Sequence, residues 1–213
     1  MALESAETQP HLVGGAEISS LPDGSCSIRL ATAQAPLLAR AFLGDRAPAA
    51  VVLLGPAPFG DTMLDLCGRL AARGASALMC FPRPGAQAPA ALRSTVAFLR
   101  GRGARRVAAV GAADSALAVL QDAAAIDLES VLLLGPREVP QDPPCDLTRG
   151  RPLVVCTGSD TVAVRRLSRL PHVTFLQFPG ASETFEEVRS DLAAGCLPAL
   201  LRSLGLTAVD REA

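Results

Sequence analysis

Val107-Ala108-Ala109-Val110-Gly111-Ala112-Ala113-Asp114-Ser115-Ala116-Leu117-Ala118-Val119-Leu120 is the stretch that decides the fold. Its first four residues are a continuous apolar run of strand type and its last five are a helical run. Five small or polar residues separate them, led by a glycine. A strand that passes into a helix through so short a turn is the repeating unit of a sheet flanked by helices. At the centre of the turn stands Ala113, whose methyl group cannot attack or carry a proton.

The same alternation extends in both directions. Apolar runs of strand length occupy 50–54, 76–81, 106–110, 130–134, 152–157 and 172–178. Most are continuous rather than alternating, which suits strands buried on both faces. Helical patterns fall between them, at 61–73, 89–102, 115–124, 161–169 and 184–204. Asp61 can cap the first of these and Gly74 fits the position just past its end. Pro89 suits a first turn, while Pro198 should kink the last helix or end it early. Two weaker strands, 16–20 and 26–31, flank the turn Leu21-Pro22-Asp23-Gly24. Residues 1–14 are polar and unpatterned and are expected to form a disordered tail before one domain over 15–213. The fold class is α/β: a single doubly wound, mostly parallel sheet of six to eight strands, with 107–110 central and no cap domain.

Composition excludes several functions. The 213 residues are 49% hydrophobic and carry a net charge of −1, so no basic field for nucleic acid exists. No apolar run reaches the roughly 20 residues that span a bilayer, and no secretory pattern opens the chain. All 20 basic residues are arginine, with Lys, Asn, Tyr and Trp absent. That bias is one of GC-rich, bacterial codon usage rather than of function. The six cysteines show no metal spacing and are read as free thiols of a reducing, cytoplasmic compartment. No metal or cofactor is expected. Gly55-Pro56-Ala57-Pro58-Phe59-Gly60-Asp61 lacks the spacing of a phosphate loop, and its prolines remove N–H groups a phosphate would need.

Four segments carry a resemblance: Leu53-Leu54-Gly55-Pro56, the turn at 111–115, Leu153 to Asp160, and Phe178 to Phe185. In order and spacing the chain from about 25 to 206 resembles the α/β-hydrolase superfamily, in a small form without a lid, like dienelactone hydrolases and thioesterases. The resemblance implies that 111–115 is the nucleophile elbow G-x-S-x-G, with Ala113 at the serine position. It implies that Asp160 stands for the triad acid and that the histidine position falls on Glu183, or on Ser182 one register away. Neither replaces an imidazole, and the only histidines are His11 and His172. The oxyanion hole is impaired as well. Pro56, at one donor position, has no N–H, and Asp114 brings a carboxylate to the other.

The expected protein is therefore a catalytically degenerate hydrolase-like fold. Its former cleft, around Pro56, Phe59, Ala113, Asp114, Asp160 and Glu183, would bind a small molecule or peptide. Carboxylates without an obligatory cation favour an amine- or amide-bearing ligand, for instance a peptide or a biosynthetic intermediate. Asp114 admits two readings, a displaced elbow nucleophile or a helix-dipole partner. Glu183 likewise reads as a base or as a first-turn acid, and Asp160 as triad acid or helix cap. An atypical enzyme moving protons through Asp114, Asp160 or Glu183 is the alternative. A structural subunit, as a homo-oligomer or beside an active paralogue, is the third reading.

Overall fold

The computed structural model describes residues 11–13, 16–32, 35–83, 87–123, 125–140, 151–170 and 172–206. Four strands open the fold: β1 (His11–Val13), β2 (Ala16–Ser20), β3 (Cys26–Leu30) and β4 (Leu37–Phe42). The six apolar runs follow as β5 (Ala49–Leu54), β6 (Ser76–Cys80), β7 (Arg106–Ala112), β8 (Val131–Leu134), β9 (Leu153–Thr157) and β10 (Val173–Gln177). The described residues thus form one ten-stranded sheet in the order β1-β2-β3-β4-β6-β5-β7-β8-β9-β10. Strands β1 to β4 pair antiparallel in succession, β4 joins β6 antiparallel, and β5 to β10 run parallel. The elbow strand β7 is interior, between β5 and β8.

Two expectations are corrected here. The sheet exceeds eight strands because β1 and β4 add antiparallel pairings that the sequence does not announce. His11–Val13 pair with Ala16–Ile18 rather than lying in a disordered tail; residues 1–10 and 14 lie outside the described residues. The turn at 21–24 forms as expected. Gly24 takes φ +79° and donates to the Leu21 carbonyl at 3.1 Å.

Helices cover both faces: α1 (Gly60–Ala71), α2 (Gln87–Gly101), α3 (Ser115–Asp122), α4 (Val162–Leu167) and α5 (Arg189–Ser203). The sheet separates two apolar layers. On one side Ala50, Val52 and Leu54 of β5 meet α2, α3 and α4. On the other, Ala49, Val51 and Leu53 meet α1 and α5. Side chains of one strand alternate between faces, so continuous apolar runs are what a doubly covered sheet requires. None of the described helices is long and apolar enough to cross a membrane.

Helix boundaries depart from expectation in small ways. Phe59 stands at the N-cap position of α1 without a side-chain cap, and Asp61 lies inside the first turn. Gly74 does close the helix, at φ +85° with its N–H on the Ala71 carbonyl. Pro198 sits inside α5, which continues to Ser203. Glu183 begins no helix, because a 3-10 turn at Glu186–Val188 intervenes before α5.

The tightest approach in the sheet is at Gly111. A Cβ there would stand 2.8 Å from the Ala116 Cα and 3.0 Å from a Val119 methyl. Glycine lets α3 fold back directly onto β7. Gly111→Ala should lower the unfolding free energy by about 1–3 kcal/mol through overpacking against backbone. Gly68→Ala in α1, where an added methyl meets nothing within 4 Å, should raise it by about 0.5–1 kcal/mol through helix propensity. Urea unfolding of the two variants checks both signs.

Candidate functional site

The chain turns from β7 into α3 at Ala113, which adopts φ +49°. A non-glycine residue in the left-handed region is uncommon and costs about 1–2 kcal/mol unless its surroundings fix it. Two hydrogen bonds do so: the Ala113 N–H donates to the Leu134 carbonyl at 2.9 Å, and Ala116 N–H to the Ala113 carbonyl at 3.2 Å. The strained elbow geometry is thus present with a methyl at its crest. That methyl is closed off, since Ala113 is 1% exposed and belongs to an apolar layer that includes Phe59 and Phe185.

Phe185 comes from the loop after β10, the loop expected to present the proton-relaying residue. It adopts φ +60°, is 1% exposed, and meets Phe178 edge-on with centroids 6.0 Å apart. Its ring also approaches Gly135, where an added Cβ would lie 3.4 Å away. The Thr62 hydroxyl of α1 fastens this loop by donating to the Thr184 carbonyl at 2.7 Å. Glu183 is thereby left outside, its side chain 77% exposed.

A cation not foreseen in the sequence joins the two carboxylates of the site. Arg137, three residues past the end of β8, reaches Glu183 at 2.6 Å and Asp114 at 3.7 Å. The hydrogen bond it donates to Glu183, then the charges of Glu183 and Asp114, hold the guanidinium above its ordinary pKa. The expectation of a carboxylate pocket without a cation is corrected: Glu183 is already paired. The available signal was positional, since ligand-facing residues of such sheets come from loops after the carboxyl ends of strands.

Asp160 stands apart. Its side chain is 70% exposed and faces Arg165 at 3.5 Å. Thr161, not Asp160, caps α4, its hydroxyl accepting from the Val164 N–H at 3.2 Å. Among the described residues no three His, Cys, Asp or Glu side chains converge as a metal would need.

Two cavities flank the elbow. The smaller, about 90 Å³, is bordered by Phe59, Ala113, Arg137, Glu183 and Phe185. It lies well under the roughly 300–1,000 Å³ of small-molecule sites. The larger, about 580 Å³, is within that range. Its apolar wall comes from Pro56, Pro82, Ala88, Pro89, Leu117 and Ala118, and its polar groups are Asp114, Ser115, Gln121 and Glu138. The six residues expected around one pocket are therefore divided: Pro56 and Asp114 border the larger cavity, Phe59, Ala113 and Glu183 the smaller, and Asp160 neither. Arg93 of α2 holds the larger cavity's helices together by a two-pronged contact with the nearly buried Asp122 of α3, 2.8 Å on each prong.

This architecture is that of α/β-hydrolases without a lid. A lidless α/β serine hydrolase from Xanthomonas campestris aligns with a TM-score of 0.66 at 18% identity, over 86% of this chain and 96% of that one. Est1E from Butyrivibrio proteoclasticus gives 0.69 at 10% identity, over 84% and 99%. An esterase from Pyrococcus furiosus gives 0.69 at 13% identity, over 93% and 99%. At such identities the likeness concerns the fold. The chain matches no protein-family model and no curated protein sequence.

Four of the five described cysteines are closed to solvent. Cys67, Cys80, Cys156 and Cys196 are buried free thiols, and Cys26 is half-buried; Cys145 lies outside the described residues. Burial pushes Cys80 and Cys196 up to about 12 and raises Cys67 and Cys156 as well. Thiolate is the reactive form, so at pH 8 these four should resist iodoacetamide in the native protein and react fully in urea. Peptide mass spectrometry reads the difference. Native alkylation of any of the four would show the apolar layers to be open.

Proposed function

We propose that this chain is a catalytically degenerate α/β-hydrolase-fold protein whose cleft beside the elbow binds a small molecule or peptide without hydrolysing it. The observation that carries the proposal is the sealed elbow. Ala113 keeps the strained conformation of a nucleophile turn yet lies 1% exposed in an apolar layer, while a ligand-sized cavity remains open next to it. The chemistry is lost at several independent points. Deleting a triad member leaves only about 10³–10⁴-fold catalysis over water, and losing one oxyanion donor costs about 10²–10³ more. Pro56 has no N–H, and Glu183 is an exposed carboxylate engaged by Arg137.

The proton-transfer alternative gains less support. A carboxyl acting as a base near neutral pH needs burial or a like charge beside it. Asp160 and Glu183 are exposed instead, and Asp114 and Glu183 share a guanidinium.

Fluorophosphonate probes should label no residue, and p-nitrophenyl acetate should be hydrolysed no faster than in buffer. Ala113→Ser alone should leave both results unchanged, because the oxyanion donor and the imidazole are still missing. Labelling of the native chain at any serine, Ser115 included, would overturn the proposal. A gain of 10³-fold or more from Ala113→Ser would show the rest of the machinery to be intact.

A further inference from the structure

The larger cavity has a charge pattern that the smaller one lacks. Asp114 and Glu138 border it, and no cation is among the described residues that do. Arg137 approaches this rim at Asp114. It is committed chiefly to Glu183 at 2.6 Å, leaving the 3.7 Å contact to Asp114 as its weaker arm. One guanidinium thus stands against the three carboxylates Asp114, Glu138 and Glu183.

A second, independent feature points into the same space. Ser115 is 6% exposed and borders the cavity, yet its hydroxyl has no hydrogen-bond partner among the described residues. Every side-chain oxygen fully sealed from solvent does have a partner. The Ser115 hydroxyl therefore opens onto free space, and the space it borders is this cavity. A nearly buried, unpaired hydroxyl acquires its full value only when a ligand group bonds to it.

Resting on the reading of this cleft as a ligand site, we propose that the cavity between α2 and α3 takes an amphipathic primary amine. The ammonium lies at Asp114 and Glu138, with the Ser115 hydroxyl as a further acceptor. The apolar body lies along Pro56, Leu117 and Ala118. An ammonium brings three N–H donors to three acceptors. A quaternary cation would leave the hydroxyl unpaired, and a carboxylate would face two like charges.

Dansylcadaverine, an apolar fluorophore bearing a primary amine, is the probe. Its N-acetyl derivative and the dansyl amide of 6-aminohexanoic acid are the neutral and anionic comparators. Fluorescence titration at pH 7.5 and low salt should show the amine binding at least ten-fold more tightly than either. Asp114→Asn and Glu138→Gln should each weaken it five-fold or more, and Ser115→Ala about three-fold. Asp65→Asn, a surface change on α1, should leave it unaltered. Arg137→Gln should tighten it several-fold by removing the competing cation, a gain that no folding defect can mimic. Melting temperatures close to the parent verify that the weakened variants are folded. Equal binding of all three probes would overturn the amine assignment while sustaining the cleft as a ligand site. Amine binding indifferent to both carboxylate substitutions would overturn its placement. Failure of all three probes to bind would overturn the amine proposal and the ligand-site reading together.

Discussion

The contact between α3 and β7 at Gly111 governs the geometry of the whole functional edge. With no Cβ, this residue lets the helix backbone come within van der Waals contact of the strand, where a methyl would stand 2.8 Å from the Ala116 Cα. A helix held that close cannot leave the strand through a relaxed loop, so the chain must reverse within the residues that remain. Ala113 at φ +49° is the consequence. The strain at the elbow is therefore a packing requirement before it is a catalytic device. That explains how the turn persists when its crest carries a methyl: the helix still has to lie on the sheet. The same docking puts Asp114 and Ser115 at the edge of the larger cavity.

The buried alanine at the turn has an apolar ring as its neighbour. Phe185 is folded inward from the last loop, held at φ +60° and packed edge-on against Phe178. A buried aromatic ring contributes far more to folding by leaving water than an exposed imidazole would. With Phe185 inside, Glu183 is turned out to solvent and captured by Arg137. The packed layer around Ala113 thus leaves Asp114, Arg137 and Glu183 outside it, at the rim between the two cavities.

Which features the sequence disclosed follows from the range of the interactions behind them. Strands β5 to β9 were legible because a strand buried on both faces is apolar at nearly every position, whereas β10, at the end of the described sheet and only partly buried, showed itself by an interrupted apolar run. β4 was not legible: Arg40 breaks the run and Leu38 is 67% exposed, so neither continuity nor alternation marks it. His11–Val13 acquire their structure only by pairing with β2. In the site, the turn at 111–115 and the alanine at its crest were legible because they are local. The partner of Glu183 was hidden, as it lies 46 residues away on another loop. The expected helix start at Glu183 failed for a related reason. The Thr62 hydroxyl, from α1, holds the neighbouring Thr184 carbonyl, and such a tether cannot be read from local pattern.

Arg137 bears on the ligand question through competition. A guanidinium shared between two carboxylates neutralises most of the one it bonds closely and little of the one it only approaches. At 2.6 and 3.7 Å the sharing is unequal, so negative charge concentrates at Asp114, on the side of the larger cavity. Exposed pairs of this kind contribute little to stability, with a median of about 0–1 kcal/mol. Their weight lies in directing a field, because a concave, partly apolar wall focuses what solvent would otherwise screen. At the other end of α3 from Asp114, Arg93 of α2 clamps Asp122 and ties the two helices together. The cleft is thus shaped by one ion pair and polarised by another, and neither involves the residue at the crest of the turn.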